Sequence, residues 1–363
     1  MNRNNSSIHK NFMSLAFEKA YQNLGSTKEN PSVGCVIVKD GAVISSGVTS
    51  INGRPHAESN ALKKNKNFYG SSMYVTLEPC VHYGKTSPCV KSILKKGIKK
   101  VYYPILDFDR RTRNKAKKIL KRNKVKVQIG TLSKNAIDFY KSYSLFKSIK
   151  SLPLVDIKIA ISKDYFSVNK RKKWITNDSS RAKVHLLRSK YDCILSTYKS
   201  VNKDNSMLNC RVRGLEKHSP TRVIIDKNLN LKKKLKIFKT SKKIKTYIIT
   251  DITNKKIEKF YKSKNIKFIK ILNKSRYFSF KDIFYKLKKM GFSRILCETG
   301  FYTSNLLIKN KLINNLYVFR ASRRLGYLGK NSYGNLLKFL KYKKKEKINV
   351  NLSGDHLYKY KIK

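Results

Sequence analysis

The order of apolar and polar residues in the first fifty positions predicts one helix followed by a hairpin. Residues 9–24 repeat apolar positions at the helical period, and one face collects Phe12, Leu15, Ala16 and Ala20. The segment SVGCVIVKDGAVISSG, 32–47, holds two apolar runs separated by Asp40-Gly41, a pair typical of hairpin turns.

The pattern then continues as alternating helices and short strands. A helix begins just after Pro55, and a buried strand in SMYVTLEPC ends at Cys80. A second helix runs from Pro88, near its first position, to Gly97, and KVYYPI follows as a strand. This order of elements predicts a layered α/β fold.

A second α/β region follows a polar joint near 148–152, where SLPLVDIKIAIS turns apolar. Strand-like runs such as YDCILST, TRVIID, RILCETG and NLYVFRAS then alternate with helical stretches. The length of 363 residues also suits two domains. We therefore predict one domain over 1–147 and another over 148–363, with a Lys-rich end (roughly 341–363) that is a ragged strand pair or partly loose.

The composition is dominated by positive charge, with 83 basic and 21 acidic residues and a net charge of +62. A nucleic-acid-binding protein would have such a charge. However, the basic residues are mostly lysine and are spread along the whole chain, and A/T-rich codons encode Lys, Asn, Ile, Tyr and Phe alike. We favour mutational drift in an A/T-rich genome, and predict no specific nucleic-acid partner.

The apolar runs and the cysteines indicate the compartment. No apolar run reaches the roughly 20 residues that span a bilayer, and no signal-peptide pattern follows the polar N-terminus. We expect a cytoplasmic protein with no membrane partner. Six cysteines in 363 residues are too few for a disulfide framework, and in a reducing compartment paired cysteines are more often metal ligands or catalytic groups.

The segment LEPCVHYGKTSPC, 77–89, carries the most specific chemistry. Its Gly-Lys-Thr is not a phosphate loop, because the glycine required five positions earlier is Pro79. With the upstream PHAE it supplies His56, Cys80 and Cys89, a donor set that leaves the fourth position of a tetrahedral zinc open for water. Glu58 lies two residues from His56 and can carry the proton from that water to a leaving amine.

The alternative is that these residues are a surface histidine, a capping glutamate and two buried thiols. Any one of them alone would favour that interpretation. Together they match H-x-E…P-C-x(n)-C, the signature of zinc deaminases, and we predict a metal site.

The first half also resembles the deaminase half of the bifunctional deaminase/reductase family of riboflavin biosynthesis. Most nucleobase deaminases have two residues between the cysteines, whereas this family has eight. The family pattern H-x-G-[RK]-T-x-P-C appears here as His82, Gly84, Lys85, Thr86, Pro88 and Cys89. The resemblance implies that His56, Cys80 and Cys89 hold one zinc ion per chain, that Glu58 is catalytic, and that Asn30 helps to bind substrate.

One loop departs from the family. Its usual D-P-N-P…G-x-G segment, which handles the phosphoribosyl group, reads LDFDRRTRNKA here, with Asp107 retained. Arg110, Arg111 and Arg113 could clamp the phosphate instead, or the loop has lost its function. Both interpretations stay open at this stage.

The second half resembles the reductase domain of the same family over about 153–345. Its fold is similar to dihydrofolate reductase and its cofactor is NADPH. The resemblance implies cofactor binding by Ala160, Trp174, Ser200, Asp204 and Gly300, and substrate binding by Arg188, Leu208, Arg211 and Glu298. In this scheme Gly300 allows close approach of a cofactor phosphate to a helix start, the two arginines hold the ribosyl phosphate, and Glu298 accepts a hydrogen bond from the pyrimidine.

Three departures affect this half. Tyr165 replaces the usual turn glycine, Lys172 replaces a serine, and Asn205 replaces a carboxylate. The leading hypothesis is a two-step enzyme that deaminates a phosphoribosylaminopyrimidine and then reduces its ribosyl chain with NADPH. The alternatives are a deaminase with a degenerate reductase half and an RNA-acting zinc deaminase. The family is often dimeric or tetrameric, but no interface is legible in this sequence, and whether the chain forms a homo-oligomer stays open.

Overall fold

In the computed structural model, residues 3–63, 66–271 and 278–363 are described, and they form two compact units, Met1–Ser151 and Leu152–Lys363. The division lies a few residues beyond the boundary at 147/148 predicted from the sequence. Each unit has its own hydrophobic core. None of the helices in the described ranges is long and apolar enough to cross a membrane.

The first unit is a five-stranded sheet with helices packed on it. Its elements are α1 (Arg3–Gln22), β1 (Gly34–Lys39), β2 (Ala42–Val48), α2 (Ala57–Leu62), β3 (Ser72–Val75), α3 (Cys89–Lys95), β4 (Lys100–Tyr103), α4 (Ala116–Arg122), β5 (Lys126–Ile129), α5 (Ser133–Phe139) and α6 (Lys141–Lys147). The strand order is β2-β1-β3-β4-β5. β1 is antiparallel to both neighbours, whereas β3, β4 and β5 are parallel. The carboxyl ends of β2, β3, β4 and β5 therefore lie at one edge.

The first helix and the hairpin follow the sequence pattern, with one error of phase. Met13, Ala16, Phe17 and Ala20 are the buried face of α1, whereas Leu15, which we predicted on that face, is 39% exposed. Gly47 lets α2 approach the sheet, because a Cβ atom there would lie 2.3 Å from the carbonyl oxygen of Ala57. The start of α2, which carries the metal-ligand and proton-transfer candidates, is thereby held against β2.

The second unit is built on a nine-stranded sheet. Its elements are β6 (Leu154–Ile161), β7 (Phe166–Asn169), α7 (Asp178–Arg188), β8 (Cys193–Thr197), α8 (Tyr198–Asp204), β9 (Thr221–Ile225), α9 (Lys236–Lys239), β10 (Thr246–Thr250), α10 (Lys255–Ser263), β11 (Ile266–Lys270), α11 (Phe280–Lys289), β12 (Arg294–Cys297), α12 (Phe301–Lys309), β13 (Asn315–Arg320), β14 (Gly329–Ser332), α13 (Gly334–Phe339), β15 (Lys345–Ile348) and β16 (His356–Lys361). The order is β11-β10-β9-β8-β12-β6-β13-β16-β15, and β7 pairs with β14 separately.

Most of this second sheet is parallel. Strand β16 is antiparallel to both β13 and β15, so the Lys-rich end, predicted as a ragged strand pair or partly loose, is a strand pair at the sheet edge. Strands β8, β12 and β6 are adjacent and parallel. Their carboxyl ends lie side by side, which is where open α/β sheets place their ligand sites.

Candidate active sites

Three metal-binding side chains meet at the carboxyl edge of the first sheet. His56 precedes α2, Cys80 lies in the loop after β3, and Cys89 is the first residue of α3. The Nδ1 atom of His56 is 3.6 Å from Sγ of Cys80 and 3.4 Å from Sγ of Cys89. All three donor atoms lie within 4.8 Å of one another. The structure thus brings together the three residues that the sequence predicts as ligands.

The donor set fits zinc. A tetrahedron with zinc–sulfur distances of about 2.3 Å and zinc–nitrogen distances of about 2.0 Å has nitrogen–sulfur edges of about 3.5 Å, and both observed separations match this value. The hydrogen bond from the Cys89 thiol lowers the pKa of Cys80 to about 4. The same contact, together with burial, raises the pKa of Cys89. Cys80 is therefore the more acidic of the two thiols, and a dication would favour the thiolate form of both.

Glu58 lies beside this cluster and is 4% exposed. Burial, and then the neighbouring Cys80 thiolate, raise the pKa of the Glu58 carboxyl to about 7. A carboxyl group with a pKa near neutrality can both accept and donate a proton, as a general acid–base group must. It is not one of the three clustered donors, and its role in proton transfer stays a prediction.

Asn30 lies in the loop before β1 and contacts the turn that leads to His56. Its Nδ2 atom donates a hydrogen bond to the carbonyl oxygen of Gly53, at 3.0 Å. Gly53 has a φ of +89°, and a Cβ atom there would lie 2.7 Å from that same Nδ2 atom. The amide oxygen of Asn30 remains for a ligand, and its role in substrate binding stays a prediction.

The divergent loop 107–114 is a folded structure anchored by a buried carboxylate. Oε2 of Glu78 accepts hydrogen bonds from the backbone N–H groups of Asp107 and Asn114, both at 3.0 Å, and Oε1 accepts one from Ala116 at 3.1 Å. Burial raises the pKa of the Asp107 carboxyl to about 6, although Tyr143 donates a hydrogen bond to it. Glu78 was not predicted from the sequence, where its only signal is a charged residue inside an otherwise apolar segment.

The arginines of this loop differ in what they contact. Arg111 donates to both carboxylate oxygens of Asp109, and Lys147 donates to the same group at 2.8 Å. The hydrogen bond from Arg111 holds the pKa of Asp109 well below its usual range. Arg110 and Arg113 are exposed. Of the three predicted phosphate ligands, Arg111 thus has an internal partner.

The loop also touches the segment between the two cysteines. Nδ1 of His82 lies 3.1 Å from Oγ1 of Thr112, which is fully buried. Arg54 donates a hydrogen bond to the hydroxyl of Thr86, at 2.8 Å. The inter-cysteine segment is therefore held from two sides. No signal in the sequence identified Thr112.

A buried cluster of charges lies at the carboxyl end of β12 in the second unit. Arg188 donates through Nε and Nη2 to the two carboxylate oxygens of Glu298, at 2.6 and 3.0 Å. Lys158 lies 2.9 Å from Oε2 of the same group. Burial alone would raise the pKa of Glu298, but the two cations outweigh it and hold that pKa well below its usual range.

The second predicted arginine lies next to this cluster. Arg188 and His185 both donate to the backbone oxygen of Asn209, at 3.1 and 2.9 Å, and Arg211 donates to the side-chain oxygen of Asn209 at 2.9 Å. Burial, and then Arg188, lower the pKa of Arg211. An anion bound next to both guanidinium groups would offset their mutual repulsion.

Three predicted cofactor residues lie in or at the start of the helices that follow the neighbouring strands β8 and β12. Gly300 caps α12, and a Cβ atom there would lie 3.1 Å from Oγ of Ser200. Ser200 lies in α8, where its N–H is capped by the Thr197 hydroxyl. Asp204 ends α8, close enough to Lys158 and Glu298 to be affected by their charges. The structure therefore places these residues around the Glu298 cluster.

Trp174 lies further along the same unit, beside a cavity of about 400 Å³. The ring is 52% exposed, and the guanidinium of Arg181 lies 4.9 Å from its centre. Ala160 packs into a small apolar cluster, and the side chain of Leu208 is buried with a φ of +47°. The side chain of Leu208 is therefore closed to ligand contacts, whereas that of Ala160 is only partly buried. All three roles stay predictions.

Two of the three departures are accommodated by the backbone. Tyr165 has a φ of +73°, as the glycine it replaces would, and Arg320 lies 5.0 Å above its ring. Asn205 has a φ of +47° at the C-cap of α8, and its side-chain oxygen accepts the N–H of Lys236 at 2.8 Å. Lys172 is exposed. The turn geometry thus persists despite the lost glycine.

Two family models match the chain. Residues 6–105 match the cytidine and deoxycytidylate deaminase zinc-binding region, and residues 153–357 match the RibD C-terminal domain. Both matches agree with the α/β fold class predicted for each half.

Complete proteins match over most of their length. The riboflavin biosynthesis protein RibD of Aquifex aeolicus is 31% identical over 322 residues, 88% of each chain. That of Buchnera aphidicola subsp. Baizongia pistaciae is 33% identical over 346 residues, 90% of this chain and 91% of its own. Among solved structures, Acinetobacter baumannii RibD and a Thermotoga maritima diaminohydroxyphosphoribosylaminopyrimidine deaminase/5-amino-6-(5-phosphoribosylamino)uracil reductase each give a TM-score of 0.82 at 26% identity, covering 98% of this chain and 99% of theirs.

Proposed function

The chain belongs to the RibD family of riboflavin-biosynthesis enzymes, and on that premise we propose which of its residues perform the two reactions. It is a bifunctional deaminase and reductase that uses zinc and NADPH and acts on a small-molecule pyrimidine. Neither a deaminase with a degenerate second half nor an RNA-acting deaminase gains support from the comparisons. We further propose that the substrate is the diaminohydroxyphosphoribosylaminopyrimidine for which the Thermotoga maritima relative is named.

In the first reaction, His56, Cys80 and Cys89 hold the zinc ion. A bound zinc ion would supply the Lewis acidity that activates water for attack on the carbon atom that bears the amino group. Glu58 takes a proton from the attacking water and delivers it to the departing amine, which leaves as ammonia. The observation that carries this proposal is the buried Glu58 carboxyl beside three donor atoms that lie within 4.8 Å of one another.

In the second reaction, NADPH supplies the hydride that converts the ribosyl group to a ribityl chain. Gly300 and Ser200 form the cofactor side of the site, since a glycine at a helix start lets a phosphate approach the backbone N–H groups. Glu298 keeps about one acceptor position free for the pyrimidine, because a carboxylate can accept about four hydrogen bonds and Arg188 and Lys158 occupy the other positions.

The substrate phosphate is assigned mainly to Arg211. The Nε and Nη2 atoms of Arg188 are bonded to Glu298, whereas the guanidinium of Arg211 is bonded, within the described part of the chain, to Asn209 alone. Arg211→Gln is expected to raise the KM of the reductase step about tenfold or more, as expected for a lost charge-assisted hydrogen bond. The exposed neighbour Arg213 provides the control, and Arg213→Gln should behave as wild type.

The test of both activities is a coupled assay. Purified protein of known zinc content receives the diaminopyrimidine ribosyl phosphate and NADPH, and ammonia release and NADPH absorbance are followed together. Both signals are expected, with NADPH consumption trailing ammonia. Ammonia without NADPH oxidation would refute the assignment of the second site. If NADPH is oxidised only when the deaminated intermediate is supplied, the assignment of the first site is refuted.

Two further proposals concern the state of the protein in the cell. All six cysteines are unpaired, which supports a cytoplasmic location, where thiols stay reduced. Self-association rests on the family resemblance alone, and light scattering of the purified chain tests it.

A further inference from the structure

The hydrogen bond between Thr112 and His82 links the divergent loop to the metal centre. His82 lies two residues after the ligand Cys80, in the segment that leads to the second ligand, Cys89. Its half-buried ring is bonded through Nδ1 to the hydroxyl of Thr112 at 3.1 Å. A residue of loop 107–114 thus fixes one edge of an imidazole at the rim of the deaminase site.

The loop is rigid enough to position a partner. The backbone N–H of Thr112 donates to the carbonyl oxygen of Asp109, and its own carbonyl oxygen accepts the N–H of Lys115, both at 3.0 Å. Glu78 binds the N–H groups on either side of this turn. The hydroxyl of Thr112 therefore has a defined place, in contrast to the exposed arginines around it.

The direction of the hydrogen bond follows from burial. Thr112 is 0% exposed, and within the described residues its hydroxyl has no partner other than His82. If His82 donated, the hydroxyl proton of Thr112 would be buried without an acceptor, which is costly. The hydroxyl therefore donates, and Nδ1 of His82 carries no proton. A neutral imidazole then carries its proton on Nε2.

We propose that Thr112 is a positioning residue of the deaminase site. Thr112 holds His82 in its Nε2–H tautomer, and His82 thereby presents an N–H donor to an oxygen atom of the bound substrate. This inference rests on the proposed deaminase function. In support of it, no residue in the described part of the chain is bonded to Nε2 of His82, whereas Nδ1 is engaged. Loop 107–114 thereby keeps a role in the site through a buried hydroxyl, and its exposed arginines are not required for that role.

The first measurement is the tautomer itself, in the full-length zinc-loaded protein labelled with ¹⁵N-histidine. The chain has only 6 histidines, and the His82 signals are those lost in His82→Gln. Two-bond ¹H–¹⁵N correlations distinguish the protonated from the unprotonated ring nitrogen. We expect the unprotonated nitrogen of His82 to be Nδ1. A proton on Nδ1 in the wild-type protein would overturn the proposal without any variant or any activity.

The second measurement uses a matched pair of variants. Thr112→Val keeps the shape of the side chain and removes the hydroxyl, whereas Thr112→Ser keeps the hydroxyl. In the valine variant we expect the tautomer to shift and the deaminase KM to rise by about three- to tenfold, the value of one hydrogen bond. Because the contact is present before and during the reaction, kcat should stay within about twofold. The serine variant should restore both the tautomer and KM.

Zinc content and thermal unfolding are measured for each variant. A wild-type tautomer and KM in Thr112→Val would overturn the proposal, and so would a serine variant that behaves like the valine variant. If Thr112→Val does not fold, the wild-type spectrum and Thr112→Ser still decide. If wild-type protein releases no ammonia, the proposed function fails, whereas the histidine spectrum still shows whether Thr112 sets the tautomer.

Discussion

Removing the charge of Glu298 is expected to destabilise the second unit strongly. The Glu298 side chain is 9% exposed, and its partners Arg188 and Lys158 are 11% and 15% exposed. Glu298→Gln keeps the shape and leaves two buried cations without a counter-ion. Breaking a buried ion pair in this way costs about 3–5 kcal/mol. For a unit of this size, that corresponds to a fall in Tm of about 6–20 °C.

The assay can be restricted to the second unit. The chain has 1 tryptophan, Trp174, and it lies in Leu152–Lys363. Thermal unfolding followed by tryptophan fluorescence therefore reports on the unit that carries the substitution. Asp178→Asn is the control, because Asp178 pairs with Arg181 on the surface and is 92% exposed. Exposed pairs of this kind contribute less than about 1 kcal/mol. Equal melting of the two variants would refute the reasoning.

The same cluster predicts a pH dependence. Arg188 and Lys158 outweigh burial and hold the folded-state pKa of Glu298 well below its usual range. The ionised carboxylate therefore contributes stability at pH values above the unfolded pKa of about 4.3, and this contribution is lost as the pH falls toward the folded pKa. The stability difference between wild type and Glu298→Gln should shrink below pH 4. A difference that stays constant down to acid unfolding would contradict this.

Three further predictions concern other sites. Glu58→Gln should lower ammonia release by about a hundredfold or more while zinc content, measured by atomic spectroscopy, stays at the wild-type level, and a zinc-poor variant would contradict the assignment. Cys80→Ser should lose zinc and lower the Tm of the first unit, and a fully loaded serine variant would refute Cys80 as a ligand. Tyr165→Gly should be more stable than Tyr165→Ala by about 1 kcal/mol in urea unfolding, because alanine at a φ of +73° keeps the left-handed strain that glycine avoids. Equal stability would show that this turn is unstrained.

The sequence predicts the metal centre better than the reductase site. His56, Glu58, Cys80 and Cys89 lie in two short segments with a spacing that few functions other than metal binding require. The turn and strand that carry these segments could also be placed, because hydrophobic periodicity identifies them. Leu15 was placed on the wrong face of α1 because alternate apolar residues leave the phase of a helix ambiguous by one position.

The charge cluster of the second unit could be predicted only in part. Arg188 and Glu298 are 110 residues apart, and no local pattern shows that a parallel sheet brings them into contact. Glu298 was recognised by resemblance as a substrate residue, whereas its pairing with Arg188 and Lys158 depends on the order of β8, β12 and β6. Thr112 was missed for a similar reason, since a single threonine in a polar loop gives no sign that it will be buried against His82.

The anchorage of loop 107–114 by Glu78 determines what can vary there over evolutionary time. Glu78 binds backbone N–H groups of residues 107, 114 and 116, and every amino acid except proline carries such a group. Exchanges at 108–113 therefore leave the attachment intact, whereas proline at one of the three bonded positions would remove a contact. Drift in the base composition of a genome can therefore change the residues of this loop without displacing Cys80, the zinc ligand two residues after Glu78. Substitutions in loop 107–114 can therefore change which ligand the loop prefers while the zinc ligands stay in place.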